Sequence, residues 1–342
     1  MSELENLCAL AECTVARTGK CHLGSDPVER CPNYAPTGTS DEDALPEGEP
    51  AEKAVEPIEI CSGDVMQVGD LARFGRAHAF RSVALVGEHR AGKTTLIAAI
   101  YEMFCKGPYA GWNFAGSRTL IGFAKRHHLA LLNSNRTNPT VPRTSRSDPA
   151  SFFHLALSRS PMTKPMHLVI SDRSGEAYGD ARIDTSLIKE LPELMQAQRA
   201  CFLLDAGRLG TKEQRAAYSR QFKQMINAFN DNGALVNTKF VEVLATKMDL
   251  PRAHADADEQ ARFLDDYELQ VLEEFRSILP GSGFYRVCAL PKADQSIGFL
   301  GLEDTVRRWT APAALPDVAQ PPIMDAVRQI DRLGAKWGAR AA

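Results

Sequence analysis

SVALVGEHRAGKTTLIAAI, residues 82–100, runs from a β-branched, apolar strand into a helical period through one loop framed by glycines. Gly87-Glu88-His89-Arg90-Ala91-Gly92-Lys93-Thr94 fills the eight positions of a phosphate loop, in the strand–loop–helix setting that this pattern requires. The glycines let backbone amides turn inward around a β-phosphate, and the helix start adds its positive end. Lys93 is placed to reach the β and γ oxygens. Thr94 offers a hydroxyl to Mg²⁺, and Thr95 continues the first turn.

Around this loop, apolar runs alternate with helical periods. Strands are expected at 81–87, 151–158, 166–171, 200–206, 239–245 and 284–290, and helices at 93–105, 118–132, 183–197, 212–229, 257–279 and 302–309. Strands interleaved with helices predict an α/β fold, a mostly parallel six-stranded sheet with helices on both faces. The short connection between 151–158 and 166–171 predicts one antiparallel edge strand. No internal repeat is visible.

A phosphate loop does not name the base; two later segments do. LVISDRSGE ends a strand with Asp172 and Gly175 in a D-x-x-G arrangement, where the carboxylate can hold the water shell of Mg²⁺ and the glycine amide can sense a γ-phosphate. LATKMDL ends another strand with Thr246, Lys247 and Asp249. An aspartate there accepts from the ring N–H and exocyclic amine of guanine, a donor pair that adenine lacks, while the lysine stem lies along the base. The last strand delivers Cys288-Ala289-Leu290, where GTPases usually carry Ser-Ala-Lys, so the contact from the Ala289 amide to the guanine oxygen lacks its usual lysine neighbour.

On these residues the chain resembles the TRAFAC-clade P-loop GTPases, with their Ras-like fold. More narrowly it is similar to the bacterial double-GTPase group encoded in multi-gene conflict, or defence, cassettes. The resemblance spans roughly residues 58–312 and rests on GEHRAGKTTLIAAIYEMF, GPYAGWNFAGSRTLIGF, PRT, SDRSGE and TKMDL, with CHLGSDPVERCP nearer the N-terminus. It implies a Mg·GTP-dependent switch or hydrolase that works with other proteins of its cassette. It also implies a threonine that joins the Mg²⁺ shell when γ-phosphate is present, with Thr144 as first candidate and Thr140 as second.

Glu176 stands where Ras-like enzymes orient the attacking water with glutamine, so slow hydrolysis is expected without a partner; it either takes that position or hydrogen-bonds within the switch. Arg90 matches the phosphate-loop arginine that guanylate-binding proteins and atlastins use as a built-in finger; it either plays that part or faces solvent. A non-catalytic scaffold that binds GTP and recruits partners is the alternative function.

The remainder of the 342 residues sets bounds. A net charge of −3 gives no electrostatic reason to expect nucleic acid. No apolar run is long enough for a transmembrane segment, and MSELENLCALAEC lacks the basic start and apolar core of a signal peptide, so a cytoplasmic location is expected. In such a reducing compartment clustered cysteines read as metal ligands. Cys8, Cys13, Cys21 and Cys31, with four, seven and nine intervening residues, make residues 1–32 a candidate structural Zn²⁺ module. Residues 33–57, acidic and rich in proline, read as a disordered linker, and 58–312 as the GTPase domain. Within 313–342 a proline-rich segment leads to an amphipathic helix over 323–339, which either packs on its own domain or meets a partner.

Overall fold

The computed structural model describes residues 13–31, 33–34, 61–130, 149–162, 164–278 and 283–312. Thr140, Thr144, Cys8, nearly all of the linker and the C-terminal helix lie outside the described residues. The chain divides into two units, 1–59 and 60–342.

In the second unit the strands are β1 (Phe80–Val86), β2 (Asn113–Gly116), β3 (Ser151–Ser158), β4 (Met166–Asp172), β5 (Arg199–Asp205), β6 (Phe240–Thr246) and β7 (Phe284–Arg286). They form one sheet in the order β2-β3-β4-β1-β5-β6-β7. Seven strands thus stand where the sequence reading counts six, the addition being the four residues Asn113–Gly116. That strand pairs antiparallel with β3, which itself pairs antiparallel with β4; every other neighbouring pair is parallel. The single reversed strand, β3, is therefore the second strand of the sheet and not its edge.

Period-two alternation sends successive side chains of β1 to opposite faces. Val83 and Leu85 join one core with Leu96, Ile97, Ile100 and Phe104 of α2 (Lys93–Lys106), whereas Ala84 and Val86 join another. The second core is closed by α6 (Lys212–Asp231), through Phe222, Met225, Ile226 and Phe229, and by α7 (Ala257–Glu274), through Leu264, Tyr267 and Val271. A strand covered on both faces needs the unbroken apolar run that Val83–Val86 supplies. Two further helices, α1 (Val68–Ala77) and α3 (Leu120–Ala130), pack near β3 and α2.

The single helix expected over 183–197 does not form: α4 (Gly175–Ile183) ends where it should begin, and a 3₁₀ segment Thr185–Glu190 and one turn Pro192–Met195 follow. Asp184 ends the first piece by accepting hydrogen bonds from the Ser186 amide (3.0 Å) and hydroxyl (2.7 Å), and Pro192 has no amide hydrogen to continue a ladder. The helix instead begins earlier, where the Ser174 hydroxyl caps the Glu176 amide. After β5 a short helix, α5 (Ala206–Gly210), leads into α6, and α8 (Leu302–Thr310) closes the described chain.

In the first unit a helical turn, Val15–Thr18, precedes a tight turn in which the Gly24 amide donates to the Cys21 carbonyl at 3.1 Å. Backbone amides of Ser25 and then Leu23 lower the Cys21 thiol below the ordinary cysteine value, with a smaller contribution from Cys31. Among the described residues no three His, Cys, Asp or Glu side chains converge on a point that could hold a metal ion.

Candidate functional site

The strands β1, β4, β5 and β6 end on one side of the sheet, and the phosphate loop leaves β1 there. Lys93 is 6% exposed, and its ammonium donates to the carbonyls of Gly87 (2.7 Å) and Glu88 (3.2 Å) within its own loop. Burial pulls its pKa down to about 8, against the smaller opposing pull of Asp172 and Glu88. Gly92 holds φ +96°, which an L side chain rarely adopts. Arg90 holds φ +64° with an exposed side chain, strain on the order of 1 kcal/mol for a residue other than glycine. The Ala91 side chain is buried, and its amide donates to the Glu88 carbonyl at 3.2 Å. His89 and Thr95 are half-buried beside it.

Thr94 and Asp172 meet across 78 residues of sequence: the Thr94 hydroxyl lies 2.9 and 3.1 Å from the two carboxylate oxygens. A hydroxyl and a buried carboxylate are hard oxygen donors, the chemistry Mg²⁺ takes when phosphates and waters complete its shell. Gly175, which opens α4, lies directly against the phosphate loop. A methyl group there would sit 2.2 Å from the Glu88 carbonyl carbon and 2.3 Å from the His89 nitrogen, so no other residue fits without moving the loop. Glu176 is half-buried at the same helix start.

The end of β6, which leads into Lys247 and Asp249, is tied to this loop. The Thr246 hydroxyl donates to the carbonyls of Ala91 (2.8 Å) and Leu204 (3.2 Å). Lys247, at φ +58°, sends its ammonium to Asp205, 2.6 Å away at the end of β5. Asp249 is buried; its Oδ2 accepts from the backbone amides of Lys292 and Ala293, each at 3.0 Å, and its Oδ1 lies 3.6 Å from the Cys288 thiol. Burial, and after it the Asp249 charge, push that thiol up to about 11, so it stays protonated and donates. Cys288 thus offers a weak donor in the position of the usual serine hydroxyl. Ala289 and Leu290 follow it, half-buried.

The phosphate-loop, D-x-x-G and T-K-x-D residues named from sequence therefore converge at one end of the sheet. Sequence reading missed Asp205 as the partner of Lys247, the amides of residues 292 and 293 as partners of Asp249, and Tyr178, whose ring lies 5.7 Å below the Lys93 ammonium. An acidic residue ending the run ACFLLD was the only available signal for the first of these.

Three comparisons with known proteins bear on the site. A family model described as Double-GTPase 2 matches residues 81–281. No curated protein matches. Among solved structures, the signal recognition particle receptor SRb-GTP/SRX complex from Chaetomium thermophilum is similar at 18% identity, with a TM-score of 0.38 over 66% of this chain and 99% of that one. The S. cerevisiae Ski7 GTPase-like domain bound to GDP and inorganic phosphate is similar at 14% identity, TM-score 0.38, over 65% of this chain and 46% of that one.

Proposed function

The chain belongs to the Double-GTPase 2 family, whose model spans residues 81–281, and from that premise we propose that it is a Mg²⁺-dependent GTP-binding switch with slow GTPase activity. The observation that carries the reading is the hydrogen bond from Thr246 to Ala91, which holds the base-reading strand end against the phosphate loop. A nucleotide laid across that junction would meet Lys93 with its phosphates and Asp249 with its base. Thr94 and Asp172 would hold Mg²⁺, which would neutralise charge at the phosphates. Lys93 exchanges two carbonyl partners for phosphate oxygens, and Glu176 takes the place of a water-orienting amide. A carboxylate near phosphate is a poor orienting group, and slow turnover follows. We further propose a cytoplasmic protein that acts with other products of its gene cassette, which would raise that turnover.

The base is the decisive test. Asp249→Asn turns one accepting oxygen into a donor that faces the donors of guanine, which should cost about 1–3 kcal/mol or more of GTP affinity. Xanthine carries an oxygen where guanine has its amine, so XTP should bind the variant better than it binds wild type. Calorimetric titration of both proteins with Mg²⁺ and GTP, ATP or XTP measures this. Equal wild-type affinity for ATP and GTP would sink the assignment. Phosphate release, assayed with the protein alone and with neighbouring gene products, separates a switch from a scaffold: no release in either case favours the scaffold.

On cysteine spacing alone we also propose a structural Zn²⁺ held by Cys8, Cys13, Cys21 and Cys31, for which Cys13, Cys21 and Cys31 would have to draw together. About one zinc per chain is expected by elemental analysis. A version beginning near Ile58 should carry none, and equally little zinc in both would end the idea.

A further inference from the structure

The phosphate loop carries a carboxylate that its anion-binding role does not use. Glu88 turns away from the loop toward two arginines on different helices. Its Oε2 accepts from Arg208 Nη1 of α5 at 2.9 Å. Its Oε1 lies 3.8 Å from Arg182 Nε in the last turn of α4. That Nε is buried and has no hydrogen-bond partner among the described residues. At 3.8 Å the pair is an ion pair that falls short of a hydrogen bond. The rest of the Arg182 guanidinium is anchored, with Nη1 donating to Gln224 Oε1 of α6 at 3.2 Å. Arg208 is fixed as well, its guanidinium 4.0 Å over the Tyr218 ring.

We propose that Glu88 is a positioning residue that couples the phosphate loop to α4, and that the Arg182–Glu88 contact tightens when a γ-phosphate is bound. The inference rests on the GTP reading above. The same helix touches the loop at both ends: Gly175 abuts the Glu88 carbonyl at its start, and Arg182 reaches the Glu88 side chain at its close. A γ-phosphate at the loop attracts the first amides of α4, and a movement of less than about 1 Å brings Arg182 Nε within hydrogen-bond distance of Glu88. A buried donor without a partner is costly, so this closure gives the γ-phosphate state a hydrogen bond that the diphosphate state lacks. Arg208 keeps the carboxylate aimed in both states.

The test uses the full chain with Mg²⁺, GDP and a non-hydrolysable GTP analogue. Arg182→Gln should weaken the analogue about tenfold and leave GDP affinity within about twofold, and Glu88→Gln should lower the ratio of analogue to GDP affinity by the same factor, since about 1.4 kcal/mol is one factor of ten. The double variant should lose no more than either single one, because both break one contact. A fold defect would lower both affinities together, and that result, additive losses, or no loss overturns the coupling while leaving GTP binding in place. A wild-type chain that binds neither nucleotide overturns the GTP reading and the coupling with it.

Discussion

Lys93→Met is expected to make the nucleotide-free protein more stable while weakening Mg·GTP binding at least a hundredfold. The ammonium is buried, and burial has lowered its pKa to about 8, so at neutral pH the fold carries a charge that it disfavours. A depression of that size corresponds to a few kcal/mol, part of which the carbonyls of Gly87 and Glu88 already offset. Methionine fills a similar volume without charge, so a gain of about 1–2 kcal/mol is expected, or roughly 2–8 °C in melting temperature. The pH dependence gives a second readout. With the folded pKa below the unfolded one, the unfolded chain binds more protons between pH 8 and the ordinary lysine value, and wild-type stability rises with pH across that window. The variant should lack this rise. Thermal melts without nucleotide at pH 7 and pH 9.5, beside titration with GTP, decide the matter; a variant that melts lower than wild type at pH 7 contradicts the argument.

Glu242→Ala should cost about 3–5 kcal/mol of stability without altering the nucleotide site. Glu242 is fully buried in β6, four residues before the strand ends at Thr246. Its Oε2 accepts from Arg199 Nη1 (3.2 Å) and Arg308 Nε (3.3 Å), and its Oε1 from the Trp309 indole (2.6 Å) and the Cys201 thiol (3.0 Å). One carboxylate therefore fastens α8 to β5 and β6. Its removal leaves two guanidiniums and an indole N–H without their acceptor inside the protein, the costly half of a buried pair. Urea unfolding measures the loss, and guanine nucleotide affinity of the folded fraction should match wild type. A loss under about 1 kcal/mol would show that the side chains relax or admit water.

The contrast between these two positions shows what a sequence displays. Lys93 is legible because a phosphate loop needs its residue types at fixed local spacing, and Asp172, Gly175 and Asp249 because each lies at, or within three residues after, the end of a strand that periodicity locates. The strand over 151–158 is observed as expected, whereas the one expected over 284–290 pairs only over Phe284–Arg286, and the apolar run beyond it continues as loop. Glu242 was not legible, since FVEVLAT is an ordinary strand until Arg199, Arg308 and Trp309 are brought to it from elsewhere in the chain. The Lys247–Asp205 pair is similar, spanning 42 residues and settled only by the pairing of β5 with β6. Strand β2, four residues with three of them exposed, offers no apolar alternation to detect. Helix α4 was displaced in the sequence reading because the Ser174 cap and the Asp184 stop act through hydrogen bonds, while periodicity counts only apolar positions.

Under the proposed GTP reading, the two amides on Asp249 bear on how a base would be selected. Both Lys292 and Ala293 donate to its Oδ2, so the buried carboxylate is already partly satisfied by the chain. Less of its charge is then left for a ligand to neutralise, and the raw affinity it lends would be small. Selection would rest on the penalty against a base such as adenine, which offers this carboxylate no donor pair.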